Sequence, residues 1–562
     1  MPRQDGMKAP LDDAMKAWSL LDFSGGLQSE FDPNDLPANA SPDCENVRGR
    51  PGRLLARAGS MDVVELPAAP DGGFFFYDSN GARRLAGFAN GNIYDLTLGA
   101  LTLVASGVYT AGNRIAAAVL NDKLYFSDGV TIGTSGPNQY GISYWDPVAG
   151  TVSPLISSGS VGTVPTPAAK CLLAYTGQLV LFNLKYVGGT TAKDQMLWSN
   201  VNDPTTIVGT NLFAIGQGQG GELNSAIQMG VSSVGVTPFQ AIFVGKSQVG
   251  VFLMRGALSP STLSETLINA PTGVLDGATV QYIPPGEKGG GYVCFLGTDR
   301  KVWFTDGINS GELSKAIRGE LAQAISDRFS VSASAKFTSA RNDQDFMYVL
   351  DIGRDSNGVS YCYCYDWEQQ SWWRYRGWPS GYWAQGKDDD SQTVLYCLDR
   401  TNYKLWRANA GVDDDGTDIA PYWKTPYVHM GDPDVLKTFH WVYLAFRTNI
   451  AAITITATAN MGEGSTASTT LTVTPDTTDT AQWDQAVWDG AVWALGGSAT
   501  LSRFKKKGRT IVEDEDLPGT YRLLRGFDVQ LKIARSTTTP SGHFEIYGLQ
   551  QLYMARGRKR VA

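Results

Sequence analysis

The sequence predicts an all-β protein, with a β-propeller of about six blades standing between an N-terminal arm and a C-terminal β-sandwich. Three observations predict it. The composition is turn-rich and aromatic: 63 of 562 residues are Gly, 24 are Tyr and 15 are Trp, while only 18% are charged, against usual values of about 7% Gly and ~25% charged. Short apolar runs meet at tight turns, over and over, between residues 71 and 415. Beyond residue 415 the pattern becomes strict alternation of apolar and polar residues, the period of a half-buried strand. Such a chain is neither disordered nor a coiled coil.

Residues 1–70 read as a short helix and an extended arm. Leu11, Met15, Trp18 and Leu21 fall at helical spacing over 10–21. Residues 22–60 are rich in Gly, Pro, Asn and Asp yet keep spaced apolar residues. They read as an arm held by a partner surface, since a free linker is plainer in composition.

Residues 71–415 carry the propeller. The turns are Asn90-Gly91-Asn92, Asn121-Asp122-Lys123, Thr176-Gly177-Gln178, Gly245-Lys246-Ser247, Thr298-Asp299-Arg300, Asp355-Ser356-Asn357-Gly358 and Asp399-Arg400-Thr401-Asn402. Each has the Gly, Asn or Asp that a hairpin's positive φ angles favour. Clear strands flank them, for example 114–120 with 124–127 and 171–175 with 179–184. Most turns are spaced by roughly 50 residues, close to the ~40–50-residue period of propeller blades. A pair of stacked sandwiches is the alternative architecture. One insert, residues 315–326, reads as a helix with Ser314 as its N-cap.

Residues 416–562 read as a sandwich with strands near 438–447, 452–459, 469–474, 527–534 and 544–553. Between them Trp483, Trp488 and Trp493 recur every five residues, a period of neither helix nor strand. Consecutive turns packing indoles on the sandwich fit it.

Formal net charge is −8, so the chain as a whole has no electrostatic grip on nucleic acid. It does not exclude a wall that nucleic acid slides past, because like charge prevents sticking. The six Cys are scattered without a CxxC, the pattern of reduced, buried thiols. The first 23 residues have no apolar signal-peptide core, and nowhere do about 18 uncharged apolar residues run together, so no membrane-spanning segment is expected.

Motifs for chemistry are weak. Gly216, Gly218 and Gly221 match GxGxxG formally, but the residues after them lack a helical pattern, which a dinucleotide site needs. Gly245-Lys246-Ser247 ends like a phosphate loop, yet Gln240 stands where its first glycine belongs, so a hairpin tip fits better. Three His and no GxSxG elbow leave a hydrolytic triad unsupported. Asp388–Asp390 and Asp413–Asp415 are acidic loop clusters without the calcium-loop spacing; they read as solvated loops. The aromatic run 361–378 is either a stacking platform for sugars or bases, or the core of a blade. No catalytic residue, metal ligand or cofactor is expected. Two basic runs, Arg503, Lys505, Lys506, Lys507 and Arg509, then Arg556, Arg558, Lys559 and Arg560, are solvated faces or contacts with an acidic subunit or a phosphate backbone.

The arm carries a resemblance. It holds Asp22-Phe23-Ser24-Gly25-Gly26-Leu27, then Asn39-Ala40 ahead of Asp43-Cys44-Glu45-Asn46-Val47, a Pro51-Gly52-Arg53-Leu54 turn, and Arg57 before Gly59-Ser60. This resembles the opening of tail nozzle proteins (the tail tubular protein B family) of short-tailed bacteriophages, although Ala58 replaces the Pro of an Arg-Pro-Gly-Ser form. The closing segment, Gly542-His543-Phe544-Glu545-Ile546-Tyr547-Gly548-Leu549 to Arg556-Gly557-Arg558, also resembles that family's last strand and basic tail. About 60 N-terminal and 40 C-terminal residues carry the likeness.

The resemblance implies a structural virion protein, made in the host cytoplasm, that forms a homohexameric tail tube. Arm and sandwich together would form a platform below the adaptor and portal. The propeller would project outward. Double-stranded DNA would pass through the channel during ejection, gated at its distal tip, and tail fibres or spikes would dock on the sides. On this view Asp22, Phe23, Ser24, Gly25, Gly26, Leu27, Asn46 and Arg57 are candidate adaptor or assembly contacts. The readings beside it are a propeller-type carbohydrate-binding or glycan-degrading tail protein, and a tip or baseplate part of a long-tailed phage.

Overall fold

The alternating apolar runs become seven antiparallel four-stranded sheets. The computed structural model describes all residues except 1–14, 131–140, 156–166, 187–188, 232–238, 249, 287–290, 389, 432, 449–452, 463–464, 474–501, 510, 514–520, 536–543 and 559–562. Two units divide the chain: residues 1–59, 371–375 and 411–562 form the first, residues 60–370 and 376–410 the second.

In the second unit, six sheets are built from consecutive strands, starting at Pro70–Tyr77, Ala116–Leu120, Ala168–Tyr175, Leu223–Val231, Gln281–Ile283 and Thr338–Asn342. The seventh runs Gly381–Lys387, Thr393–Asp399, Lys404–Ala408 and then Ser60–Glu65, which enters from the other end of the sequence. The first strand of each sheet packs beside the first strand of the next, and Gly381–Lys387 returns to Pro70–Tyr77. The sheets therefore close a ring, the propeller the sequence predicts. The sequence leads to about six blades, whereas seven sheets are present. The seven turns named from sequence fall one to a sheet, and the seventh sheet is completed only by a closing strand that lies upstream of the predicted propeller. For the same reason the division falls at residue 59 rather than at 70.

Both faces of each sheet are apolar, so neighbouring sheets bury one another. Phe76, Phe88, Ile93, Leu124, Phe126 and Trp145 form one such cluster between the first and second sheets; Val180, Phe182, Trp198, Ile242, Val244 and Phe252 form another between the third and fourth. The hairpin chemistry holds: Asn90 and Gly91 take φ of 51° and 78°, and Thr176 and Gly177 take 48° and 75°, the two positive angles of a type I′ turn. The inserted helix is Arg318–Val331, preceded by a 3-10 turn at Ser314–Ile317. Ser314 is not its cap. Its buried hydroxyl accepts instead from the Val302 amide at 3.0 Å.

The first unit holds two large sheets, each with one buried face, and two small two-stranded ones among the described residues. Val435–Thr448 and Glu545–Arg558 form the centre of one, with Phe439, Leu444, Phe446, Ile546 and Leu549 inside. Ile453–Gly462, Ser465–Val473 and Asp528–Arg535 form the other, burying Ile453, Ile455, Leu531 and Ile533. The arm completes both. Lys16–Leu20 pairs with 549–553, Arg53–Ala56 pairs with Glu545 and Ile546, and Cys44–Glu45 pairs with Tyr422 and Trp423. The expected helix over 10–21 is therefore corrected for its described part. A free edge of the last strand recruits 16–20, and backbone pairing outweighs a weak helical period. Residues 10–14 and the Trp483, Trp488 and Trp493 run lie outside the described residues.

Candidate functional site

The arm residues singled out from sequence lie together in the first unit, mostly inside it. Asp22 opens the cluster. Its Oδ1 accepts from the Ser24 amide and its Oδ2 from Asn39 Nδ2, both at 2.9 Å. Burial opposes its ionisation, but these hydrogen bonds hold its carboxyl below the usual range. Phe23 and Leu27 are fully buried, and Phe23 meets Trp423 edge-on at 5.4 Å. The Gly25 amide donates to the Asn39 carbonyl at 3.0 Å. Gly26 has φ +68°, and a Cβ there would stand 2.7 Å from the Trp372 carbonyl oxygen; no side chain fits that turn.

Asn46 and Arg57 lock the arm's far end. Arg57 Nε donates to Asn46 Oδ1 at 2.9 Å. Its guanidinium spans both oxygens of Asp414, at 2.9 and 2.5 Å. Arg57 is 2% exposed and Asp414 11% at their side chains. A buried guanidinium needs such a counter-charge, so Asp414 is no solvated-loop residue, and that expectation is corrected. Asp43 is a second node: it accepts from Lys424, Tyr422 and Arg374 at 2.6 to 2.7 Å. Burial pushes its pKa up, but these partners outweigh burial and hold its carboxyl below the usual range. The eight candidate contacts thus shape the arm from within.

The basic runs sit on strands of the same unit. Arg503, Lys505, Lys506 and Lys507 belong to Ser502–Arg509, whose backbone pairs with Val435–Thr448 in a register that sets Lys505 on Ala445 and Lys507 on Tyr443. Arg556 and Arg558 end the strand Glu545–Arg558; Lys559 and Arg560 lie outside the described residues.

In the ring, the glycine run 216–221 is a link between Asp203–Ala214 and Leu223–Val231. No helix follows it, so it makes no dinucleotide site. Lys246, fully buried, anchors it by donating to the Gly216 carbonyl at 2.9 Å and pairing with Asp194 at 2.8 Å. Lys246 is a hairpin residue, as the missing glycine implies. In the aromatic run, Tyr363, Trp372, Trp373 and Trp378 are 2% exposed or less. That is core, and leaves no stacking platform in these rings. Asp388 caps its own turn and pairs with Arg407 at 2.9 Å. All six Cys are buried. Among the described residues no group of three His, Cys, Asp or Glu is placed to hold a metal ion, and no helix is long and apolar enough to cross a membrane.

The feature that motif reading missed is the ring's central cavity, of about 770 Å³. Its walls come from the first strand of each sheet, from the second and third strands of the third sheet, and from adjoining turns. Cations line it: Arg114, Lys170, Lys185, Lys193 and Lys336. Three carboxylates do too: Asp128, Glu222 and Asp276. Arg114 forks onto both oxygens of Asp276 and lies 5.8 Å from the Tyr382 ring. Burial lowers the Arg114 pKa, but Asp276 overrides it and the net shift is upward. Lys170 pairs with Glu222 at 2.5 Å, with Lys193 at 3.9 Å on the other oxygen. Burial works against Glu222's charge, yet Lys170 and Asn183 hold its carboxyl below the usual range. Asp128 accepts from the Thr110 and Val130 amides at 3.0 Å. Lys336 donates to the Gly112 carbonyl at 3.1 Å. A partial signal for the site exists in the sequence: Arg114, Lys170, Glu222, Asp276 and Lys336 stand just before or within the first strands of five of the seven sheets. It emerges only once those strands are known to share an axis.

No family model matches the chain, and a search of curated proteins finds no match. Among solved structures, BBS1N in complex with ARL6DN aligns at 11% identity over 64% of this chain and 99% of that one, with a TM-score of 0.37. An exo-beta-1,3-galactanase from Phanerochaete chrysosporium, with galactose, aligns at 9% identity over 88% and 100%, with a TM-score of 0.25. A GH43 protein from Bacillus licheniformis aligns at 8% over 79% and 98%, with a TM-score of 0.22. At such scores these likenesses decide nothing. The propeller assignment stands on the closure of the ring.

Proposed function

We propose that the chain is a structural virion protein of a short bacteriophage tail, a subunit of a homohexameric nozzle that conducts and gates DNA and docks tail fibres or spikes below the adaptor. One observation carries the reading. Both chain ends co-fold into a single unit, Lys16–Leu20 on 549–553 and Arg53–Ala56 on Glu545–Ile546, as the resemblance requires of a platform with a propeller set into the chain. Chain ends that lay in separate units would have removed its basis.

Two further features support it. The closing segment that resembles the family is the strand on which the arm assembles. Each carboxylate lining the central cavity is engaged, Asp276 by Arg114, Glu222 by Lys170 and Asp128 by backbone amides. Glycoside hydrolysis needs instead one carboxyl raised into service as an acid beside a second, so a glycan-degrading role has less support.

Electron microscopy of the purified full-length protein, alone and mixed with the adaptor assembly, tests the proposal. Rings of six copies seated on the adaptor are the expected result. A protein that stays monomeric at high concentration and leaves the adaptor bare overturns it.

A further inference from the structure

We propose that His429 and Asp528 form a clasp that closes on taking up a proton, tightening the first unit where the arm joins it. The inference does not rest on the nozzle reading. Its geometry starts from one antiparallel bridge. Val428 and Val529 exchange amide–carbonyl hydrogen bonds at 3.0 and 3.3 Å. The next residues, His429 and Asp528, therefore stand across from each other as a cross-strand pair. The same short segment holds the strand Asp528–Arg535 through the Thr425 amide, which donates to the Leu531 carbonyl at 2.9 Å. It holds the arm through the Tyr427 amide, which donates to the Pro33 carbonyl at 3.0 Å. Whatever fixes His429 acts on arm, segment and strand together.

The pair is unfinished. His429 Nδ1 lies 3.7 Å from Asp528 Oδ2, beyond hydrogen-bond reach. Nδ1 and the other carboxylate oxygen, Asp528 Oδ1, are both buried without a hydrogen-bond partner among the described residues. Buried polar atoms are nearly always satisfied, and exceptions call for an explanation. The Asp528 side chain is 5% exposed and that of His429 37%, so a proton reaches the imidazole from solvent. Three other groups surround the carboxylate. Asn460 Nδ2 donates to Oδ2 at 3.4 Å. Lys437 Nζ donates to the Val435 and Phe527 carbonyls at 2.9 and 2.8 Å. The Tyr427 hydroxyl is pushed up by burial and by Asp528. None of them satisfies Oδ1. Burial raises the Asp528 carboxyl, and His429 is foremost among the groups that oppose the rise. A buried carboxylate short of counter-charge gains one when the imidazole is protonated, and histidine is the side chain whose charge ordinarily changes between about pH 5 and 8. The tie is present on the acid side of that range and lost as pH rises through it. Further acidification ends it again, when Asp528 itself takes a proton at a pH that burial has raised.

Amide hydrogen exchange of the full chain tests the clasp. Mass spectrometry of segments 425–431 and 526–531, at about pH 6 and about pH 8, is corrected for the intrinsic base-catalysed rate. Protection of the Tyr427, Val428 and Val529 amides should be roughly fivefold greater at the lower pH, while the hairpin strands of the ring show no such gain. His429→Gln and Asp528→Asn each remove one half of the clasp and should each abolish the gain, with unchanged far-ultraviolet circular dichroism as the folding control. The part-exposed His429 site keeps the test open if Asp528→Asn does not fold. Equal corrected protection at both pH values in the parent protein overturns the proposal. So does a gain that survives in folded His429→Gln.

Discussion

The ring and the first unit are both all-β, but they are assembled by opposite rules. In the ring, strands that pair are nearly always neighbours in sequence; Ser60–Glu65 against Lys404–Ala408 is the exception. In the first unit, residue 16 pairs with residue 553 and Cys44 with Trp423. Local hairpins close small loops, whereas end-to-end pairing must close very long ones, at an entropic cost that grows slowly with length. Sheets of local hairpins form quickly, and long-range pairings wait. The difference teaches that the arm is a structural part of the first unit: its two large sheets are incomplete until residues 16–56 arrive.

The comparison can be broken most directly at Arg57. Arg57→Ala would leave the Asp414 carboxylate buried without the guanidinium that faces it, and losing one partner of such a pair costs about 3–5 kcal/mol. Denaturant unfolding should show that loss in the first unit, with the ring's transition in place. A loss spread equally over both transitions would mean the two units do not unfold by separate rules.

A sharper, pH-dependent contrast comes from Asp43 and Asp351. Asp43 in the first unit is held below its usual range. Its stabilisation is present above about pH 4, the unfolded carboxylate value, and is lost as pH falls through the folded pKa. Asp351 in the ring is raised, foremost by burial, despite accepting from Ser380 and the Gly353 and Gly381 amides. Its contribution is fully present below about pH 4 and is lost as pH rises through the folded pKa. Asp43→Asn should therefore flatten the acid limb of the stability curve, and Asp351→Asn its descent at higher pH. Equal slopes in variant and parent protein would remove either assignment.

The smallest expected effect lies at the ring's closing strand. Asp62 and Lys404 pair at 2.6 Å across it, each more than a quarter exposed. Asp62→Asn should cost under about 1 kcal/mol, the range of exposed pairs. A thermal melt showing much more would make this pair, rather than Val64 and Leu405 beside it, the clasp of the ring.

What could be read from the chain follows this division. The tight turns were legible because Asn90-Gly91 and Thr176-Gly177 declare their backbone angles by residue type. Five sandwich strands were legible from alternation. Trp18 was misleading: helical spacing is a local average, and the free edge offered by residues 549–553 is not local. Ser314 looked like a cap because caps are judged by position, while its hydroxyl was claimed by Val302 from a neighbouring strand. The cavity could be recognised only once the strands were placed around one axis, because Arg114, Lys185 and Lys336 carry no spacing in common.

The sequence by itself determined that the protein is built of β-strands, where most hairpins turn, and that an arm with buried apolar residues leads into them, since each of these depends on neighbours a few residues apart. Only the tertiary structure decided that seven sheets close the ring, that Asp414 answers Arg57, and that cations from separate strands face a common space. Those outcomes depend on which distant edges and charges meet, and burial in the folded chain, rather than any local preference, selects the pairs.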